Sequence, residues 1–159
     1  MVITIRAVDD HDRPWVAEFL RTHFGSTRVV TRGRLHEADR LPGLVAEEDG
    51  VPGGLLTYHV VDREFEVVTL HAALPGRGLG TRLLEEARTK ARVLGCRRLW
   101  LITTNDNEPA IKFYRERGMT LVAVHRDAIR ESRRLKPEIP LTGVGGRPIE
   151  DEVEFEEQL

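Results

Sequence analysis

The sequence predicts an α+β fold, and three observations predict it. Short segments between residues 44 and 72 are apolar and β-branched, and turn signals separate them, which reads as an antiparallel meander. Amphipathic helical patterns with recognisable ends occupy 79–94 and 107–117. The element order, β-α-(α)-β-β-β-α-β-α-β-α-β, does not alternate regularly, as a doubly wound parallel sheet would require. A chain of 159 residues is expected to form one domain over 1–159 around a sizeable core.

Each element has a local cause. Residues 2–7 alternate as a strand. From Asp12 to Phe24 a helix places Trp15, Val16, Phe19, Leu20 and Phe24 on one side, with Pro14 in its first turn and Gly25 after its last. The polar, basic stretch 26–41 reads as loop, with a short helix from about Arg34. Leu44–Glu47, Gly54–Val61 and Glu64–Ala72 form the meander, turned at Glu48-Asp49-Gly50 and at Asp62-Arg63. In the helix Leu79–Leu94, Leu79, Leu83, Leu84, Ala87, Ala91 and Leu94 recur at helical spacing, and Gly95 ends it. Leu99-Trp100-Leu101-Ile102 is apolar on both faces, as in a central strand. Asn107 caps a helix to Arg117, with Gly118 at its C-terminal end. Leu121–His125 is a strand, Asp127–Leu135 a short basic helix, Lys136–Pro148 a Pro/Gly-rich connection, and Asp151–Glu157 a final strand.

Composition excludes several function classes. The formal net charge of −2 lacks the basic footprint of a general nucleic-acid binder, so no nucleic-acid partner is expected. No apolar run approaches the ~20 residues of a membrane helix, and the first residues lack a signal-peptide core. A cytoplasmic protein without membrane contact is expected. The single cysteine, Cys96, rules out an internal disulfide and reads as a small buried thiol. The six histidines show no metal-ligand spacing, so no metal is expected. The arginines at 126, 130, 133 and 134 have helical spacing and read as a solvated face.

The chemistry concentrates in two motifs. Gly76-Arg77-Gly78-Leu79-Gly80-Thr81 leads into a helix, the arrangement that holds phosphate oxygens on backbone N–H groups at the positive end of the helix dipole. Arg77 and Arg82 add charge there. A Walker loop would need a lysine before Thr81, and a dinucleotide fingerprint would need glycine at 81 after a parallel βαβ start. A nucleotide-binding protein is therefore disfavoured. The second motif is Asn107-Glu108-Pro109-Ala110-Ile111-Lys112-Phe113-Tyr114, a helix start with a tyrosine inside.

With Gly-Arg-Gly-Leu-Gly-Thr-Arg-Leu-Leu at 76–84, Asn107 with Ala110, Phe113-Tyr114 and Arg117-Gly118-Met119, the segment 64–119 resembles the GNAT superfamily of acyl-CoA-dependent N-acyltransferases. The resemblance implies a central mixed, mostly antiparallel twisted sheet flanked by helices. It implies acetyl-CoA as co-substrate. The backbone of Leu70, His71 and Ala72 would pair with the pantetheine arm, and Gly76, Arg77, Gly78, Leu79, Gly80 and Thr81 would hold the pyrophosphate. Asn107 would contact the coenzyme, and Tyr114 would sit by the sulfur and protonate the departing thiolate. The chain departs from the family at Pro75, where Arg or Gln often opens the loop, and at Ala72, where a proline is usual. Arg77 would replace the missing charge.

An amine is mostly protonated at neutral pH and must lose a proton before it attacks a thioester, and the leaving thiolate needs an acid. Tyrosine, with an ordinary pKa of about 10, suits the acid role. Glu66, on the strand entering the site, is the expected base, with Glu64 and His71 on the same strand as alternatives. A backbone N–H near His71 or Ala72 would polarise the carbonyl. The expected reaction is direct attack of a primary amine, small-molecule or protein-borne, on acetyl-CoA in a ternary complex. Arg28 and Arg32, in the loop after the first helix, would bind an acidic acceptor. The rival reading is a non-catalytic acyl-CoA-binding sensor or scaffold, which would need neither Tyr114 nor Glu66. Exposed strand edges allow a monomer or a homodimer.

Overall fold

The computed structural model describes residues 1–159. Its strands are β1 (Ile3–Ala7), β2 (Arg28–Thr31), β3 (Arg34–Glu37), β4 (Gly43–Glu48), β5 (Val51–Val61), β6 (Glu64–Ala72), β7 (Arg98–Thr104), β8 (Thr120–His125) and β9 (Glu152–Gln158). Its helices are α1 (Arg13–Phe24), α2 (Leu79–Val93), α3 (Glu108–Glu116) and α4 (Ala128–Leu135). Seven strands form one sheet in the order β1-β4-β5-β6-β7-β9-β8. Only β6 and β7 run parallel; every other neighbour pair is antiparallel. The mixed, mostly antiparallel sheet expected from the sequence is therefore present; its strands end within a residue of their expected bounds, except that β5 begins three residues earlier, at Val51.

Two cores hold α1, α2 and α3 to the sheet. The larger packs Leu79, Leu83, Leu84, Ala87 and Ala91 of α2 and Tyr114 of α3 against Leu56, Phe65, Val67, Leu99, Leu101 and Phe155. Each fully buried leucine there contributes roughly 1.5–3 kcal/mol. On the opposite face Val16, Phe19 and Leu20 of α1 pack on Leu55 and Ala38, with Val29 of β2 at the margin. Thus α1 and the β2–β3 segment cover one face, and α2 and α3 the other.

The stretch 26–41 departs from expectation. In place of a loop and a helix from Arg34 it forms a hairpin, β2–β3, with Val29 opposite His36 and Thr31 opposite Arg34, and then a single 3-10 turn at Ala38–Arg40. Arg32 and Gly33 turn the hairpin with φ of 48° and 75°. These are the left-handed values a two-residue hairpin turn needs, for which Gly33 is suited and Arg32 is not.

A bulge in β6 sets the geometry of everything that follows. Thr57 faces Thr69 and Tyr58 faces Val67, so Val68 has no partner of its own on β5. The ladder to β7 stops at the same place, with Val67 opposite Leu101 as its last pair. A bulge bends its strand. Beyond it, Val68–Ala72 has no strand on its β7 side, while β7 continues to Thr104 paired with β9 alone. A notch therefore opens in the middle of the sheet. β6 runs from it into the glycine turn and α2, and β7 runs from it to the start of α3.

Candidate active site

The glycine turn stands at one rim of this notch. Gly76 and Gly78 have φ of 77° and 71°, and a Cβ at either would meet no atom within 4 Å, so they are required by conformation and leave the loop open. Gly78 is also the N-cap of α2, which has no side-chain cap. The first N–H groups of α2 are thus left to an external acceptor, at the positive end of the helix dipole. Gly80 has a different reason: a Cβ there would lie 3.3 Å from the Phe113 ring, so its role is close packing of α2 on α3. This open, uncapped N-terminus fits a pyrophosphate.

Charge surrounds the turn in held positions. Arg117 stacks on Phe113 at 3.8 Å and donates from Nε to Thr81 Oγ1 at 2.7 Å. Arg82 reaches the Ile3 carbonyl, and Arg77 lies 3.5 Å from Glu48. The charge expected of Arg77 as a replacement for the family's loop-opening residue is thus shared with a carboxylate. At the other rim, Asn107 caps α3 by accepting from the Ala110 N–H at 3.3 Å.

The two expected proton-transfer groups lie on opposite faces of the sheet. Tyr114 sits in the larger core, 8% exposed, with its ring against Phe113 and Phe155. Burial pushes its phenol above the ordinary tyrosine range, so it is a neutral O–H donor near pH 7. Glu66 points to the other face, 4% exposed, beneath the β2–β3 hairpin. Its Oε2 accepts from Thr31 Oγ1 at 2.6 Å, and its Oε1 lies 3.6 Å from His36 Nε2. Burial pushes the Glu66 carboxyl up to about 7, against the opposing hydrogen bond from Thr31 and the charge of Arg34. A carboxyl in that range is matched to taking a proton near neutrality.

His71, the alternative base, shares the face of Glu66, although the two are five positions apart. An unbroken strand would place them on opposite faces; the extra residue at Val68 reverses the parity. The His71 ring stacks on His23 of α1 at 4.3 Å and lies 5.8 Å from Phe19. Burial, and then the neighbouring His23, push its pKa down. Glu64 pairs with Arg98 at 3.0 Å and with Arg97 at 3.5 Å, which ties it into an ion-pair cluster. Leu70 packs toward the larger core, and Leu70, His71 and Ala72 all lie on the unpaired run of β6.

The arginines expected on the acceptor wall are engaged elsewhere. Arg28 is paired across the hairpin with Glu37 at 3.3 Å. Arg32 clamps the hairpin tip to β9, with Nη1 2.9 Å from Glu152 Oε1 and its backbone N–H on Oε2 at 3.1 Å. Neither offers an unpaired cation. Arg34, opposite Thr31 in the hairpin register and exposed, makes no ion pair. Cys96 is buried, which raises its thiol pKa and suits an inert core residue. A cavity of about 1140 Å³ lies between the outer side of α3, β8 and the loop at Val144–Arg147, and shares no residue with the glycine turn. No group of three or more His, Cys, Asp or Glu is arranged to hold a metal ion, and no helix is long and apolar enough to cross a membrane.

The family model of the GNAT acetyltransferase family matches residues 6–119. The chain belongs to that family. Among curated relatives, the uncharacterized protein YdhI of Bacillus subtilis (strain 168) is 37% identical over 141 residues, 88% of each chain. Two solved structures share the fold over 99% of this GNAT chain. One is an IAA acetyltransferase from Bacillus cereus ATCC 14579 (TM-score 0.72, 17% identity, all of that chain covered). The other is a GNAT family acetyltransferase from Elizabethkingia anophelis with acetyl-CoA bound (TM-score 0.71, 15% identity, 98% of that chain covered). Within this GNAT site, sequence reasoning missed Thr31 and His36. Their signal was the alternation on either side of Arg32-Gly33, hidden because arginine is an unusual first residue for such a turn.

Proposed function

We propose that this protein transfers an acetyl group from acetyl-CoA to a primary amine by direct attack in a ternary complex. The observation that carries this reading is the notch between β6 and β7, with Tyr114 on one face of the sheet and Glu66 on the other. The thioester would enter along the unpaired edge Val68–Ala72 as an added strand. The pyrophosphate would rest on the turn Gly76–Thr81 and the N-terminus of α2. Asn107 would contact the coenzyme from the opposite rim.

The sulfur would then lie toward Tyr114 and the carbonyl toward Glu66. Glu66 takes a proton from the acceptor ammonium. The freed nitrogen attacks the carbonyl carbon, the C–S bond breaks, and the thiolate takes the Tyr114 proton; the nitrogen loses its second proton as the amide forms, and a proton from solvent restores Tyr114. A backbone N–H near His71 or Ala72 polarises the carbonyl. The acetyl-CoA-bound neighbour of the same fold supports the choice of donor. An acceptor carboxylate would meet Arg34 rather than the paired Arg28 and Arg32.

Thermal unfolding with acetyl-CoA, CoA, ATP and NAD tests the donor. At ~100 times its dissociation constant a ligand adds about 2.7 kcal/mol, several degrees in Tm. Acetyl-CoA and CoA should raise Tm, and ATP and NAD should not. Release of CoA with a panel of primary amines then tests the chemistry. The Tyr114→Phe variant should keep the acetyl-CoA shift and lose transfer about 10²-fold or more. Unchanged turnover in that variant would remove Tyr114 from the reaction. Binding without turnover on any amine would favour the sensor reading.

A further inference from the structure

The hairpin brings a second and a third polar side chain to Glu66, and all three are sealed from water. Thr31, His36 and Glu66 are each 4% exposed. They form a connected row: Glu66 Oε2 to Thr31 Oγ1 at 2.6 Å, and Thr31 Oγ1 to His36 Nε2 at 3.0 Å. A threonine hydroxyl has one proton. When Glu66 is ionised it can only accept, so that proton goes to Glu66, and His36 must then donate from Nε2 to Thr31. The row thereby fixes the histidine tautomer. When Glu66 is protonated the row can run the other way, from Glu66 through Thr31 to a His36 protonated at Nδ1.

We infer that Thr31 and His36 are positioning residues that fix the orientation of the Glu66 carboxyl and favour its ionised form against the cost of its burial. The inference rests on the reading of Glu66 as the base. Hydrogen bonds to a charged carboxylate favour that form, whereas burial opposes it. The Thr31 hydrogen bond thus offsets part of the suppression that the hairpin's own cover imposes, and His36 directs the Thr31 proton toward Glu66. His36 is well suited to the second place because its burial, with His59 and Arg34 nearby, pushes its pKa down to about 4, so it stays a neutral donor.

Charged and titratable groups lie around Glu66 on β3, β5, β6, β7 and β9. Arg34 lies on β3, His59 opposite it on β5 and Glu64 beside it on β6. Arg98 lies on β7, and Glu152 and Glu154 lie on β9. Of these, Arg34 favours the carboxylate, and Glu152 and Glu154 oppose it. His59 and His36 lie ring to ring at 5.5 Å, and His59 is itself held toward its neutral form by burial and by Arg34. Arg98 is engaged with Glu64, Glu154 and Glu156, and Glu152 with Arg32.

The test needs no acceptor. In full-length protein labelled with ¹³C-glutamate and ¹⁵N-histidine, the Glu66 carboxyl is titrated by its carbon shift, with Glu66→Gln to assign it. The His36 tautomer is read from its long-range nitrogen correlations. The wild type should show His36 protonated at Nε2 above the Glu66 midpoint. Thr31→Val should move the Glu66 midpoint up by about one pH unit, a tenfold loss of carboxylate at a given pH below it. Thr31→Ser, which keeps the hydroxyl, should titrate as the wild type.

A Thr31→Val midpoint equal to the wild type, or His36 protonated at Nδ1 beside ionised Glu66, overturns the inference. If Thr31→Val does not fold, the wild-type tautomer and the Thr31→Ser titration decide it. Failure of the underlying reading looks different: Glu66→Gln would release CoA with an amine at the wild-type rate, whatever the titration shows.

Discussion

At the residue scale, the same side-chain chemistry takes opposite values in different surroundings. Asp12 accepts from both ends of the Arg6 guanidinium at 2.7 Å, and these bonds hold its carboxyl down to about 2. Glu66 has no cation in contact, and burial drives it the other way, to about 7. The raised value has a consequence for folding. Between about pH 4.5 and 7 the folded state keeps a proton on Glu66 that the unfolded chain has lost. Stability therefore falls as pH rises through this window, because the folded state binds more protons. His36, held down to about 4 from 6.5, acts in the opposite sense and loses its contribution as pH falls from 6.5 to 4. The Glu66→Gln variant should gain Tm relative to the wild type as pH is raised from 5 to 8, measured by calorimetry in one buffer series. A constant difference across that range would mean that Glu66 ionises in the fold as it does in the unfolded chain.

At the scale of elements, one extra residue and one two-residue turn build the site. The bulge at Val68 bends β6 away from β7 and puts Glu66 and His71 on a single face. The β2–β3 hairpin then closes over Glu66, anchored at its tip by Arg32 on Glu152, a carboxylate only 1% exposed. Removing the guanidinium leaves that carboxylate short of a charged partner. Arg32→Ala should cost about 1–3 kcal/mol in urea unfolding, less than a fully enclosed pair because Arg32 itself is 43% exposed. A loss under about 0.5 kcal/mol would assign the anchoring to Val29 packing instead. The hairpin was hidden in the sequence because its strands are four residues each and its turn begins with arginine. The helices α2 and α3 were legible, since each carries a full apolar stripe and its own end signals.

At the scale of the whole molecule, the sheet is divided by function. On one side of the notch, β1, β4 and β5 are continuous antiparallel scaffold; on the other, β7, β9 and β8 are the same. The catalytic reading places the ligand where the two halves separate. Amide hydrogen exchange should report this directly. Saturating acetyl-CoA should slow exchange at 68–72 and 76–82 and leave β1 and β4 unchanged. Protection spread evenly over the molecule, or absent from 68–72, would mean that the unpaired edge of β6 takes no added strand.

The α+β class, the order of most elements, the glycine turn, the capped start of α3 and the family these mark were all legible along the chain. All of those depend on residues close together in the chain: glycine conformations, caps and apolar periods. The three-dimensional fold decided which face each side chain of β6 takes, where β6 and β7 part, and that Arg28 and Arg32 are paired with carboxylates. It also decided that Thr31 and His36 meet Glu66, some thirty residues further along the chain. Those outcomes turn on an unpaired residue in a ladder and on partners brought together by folding, and neither leaves a local pattern to read.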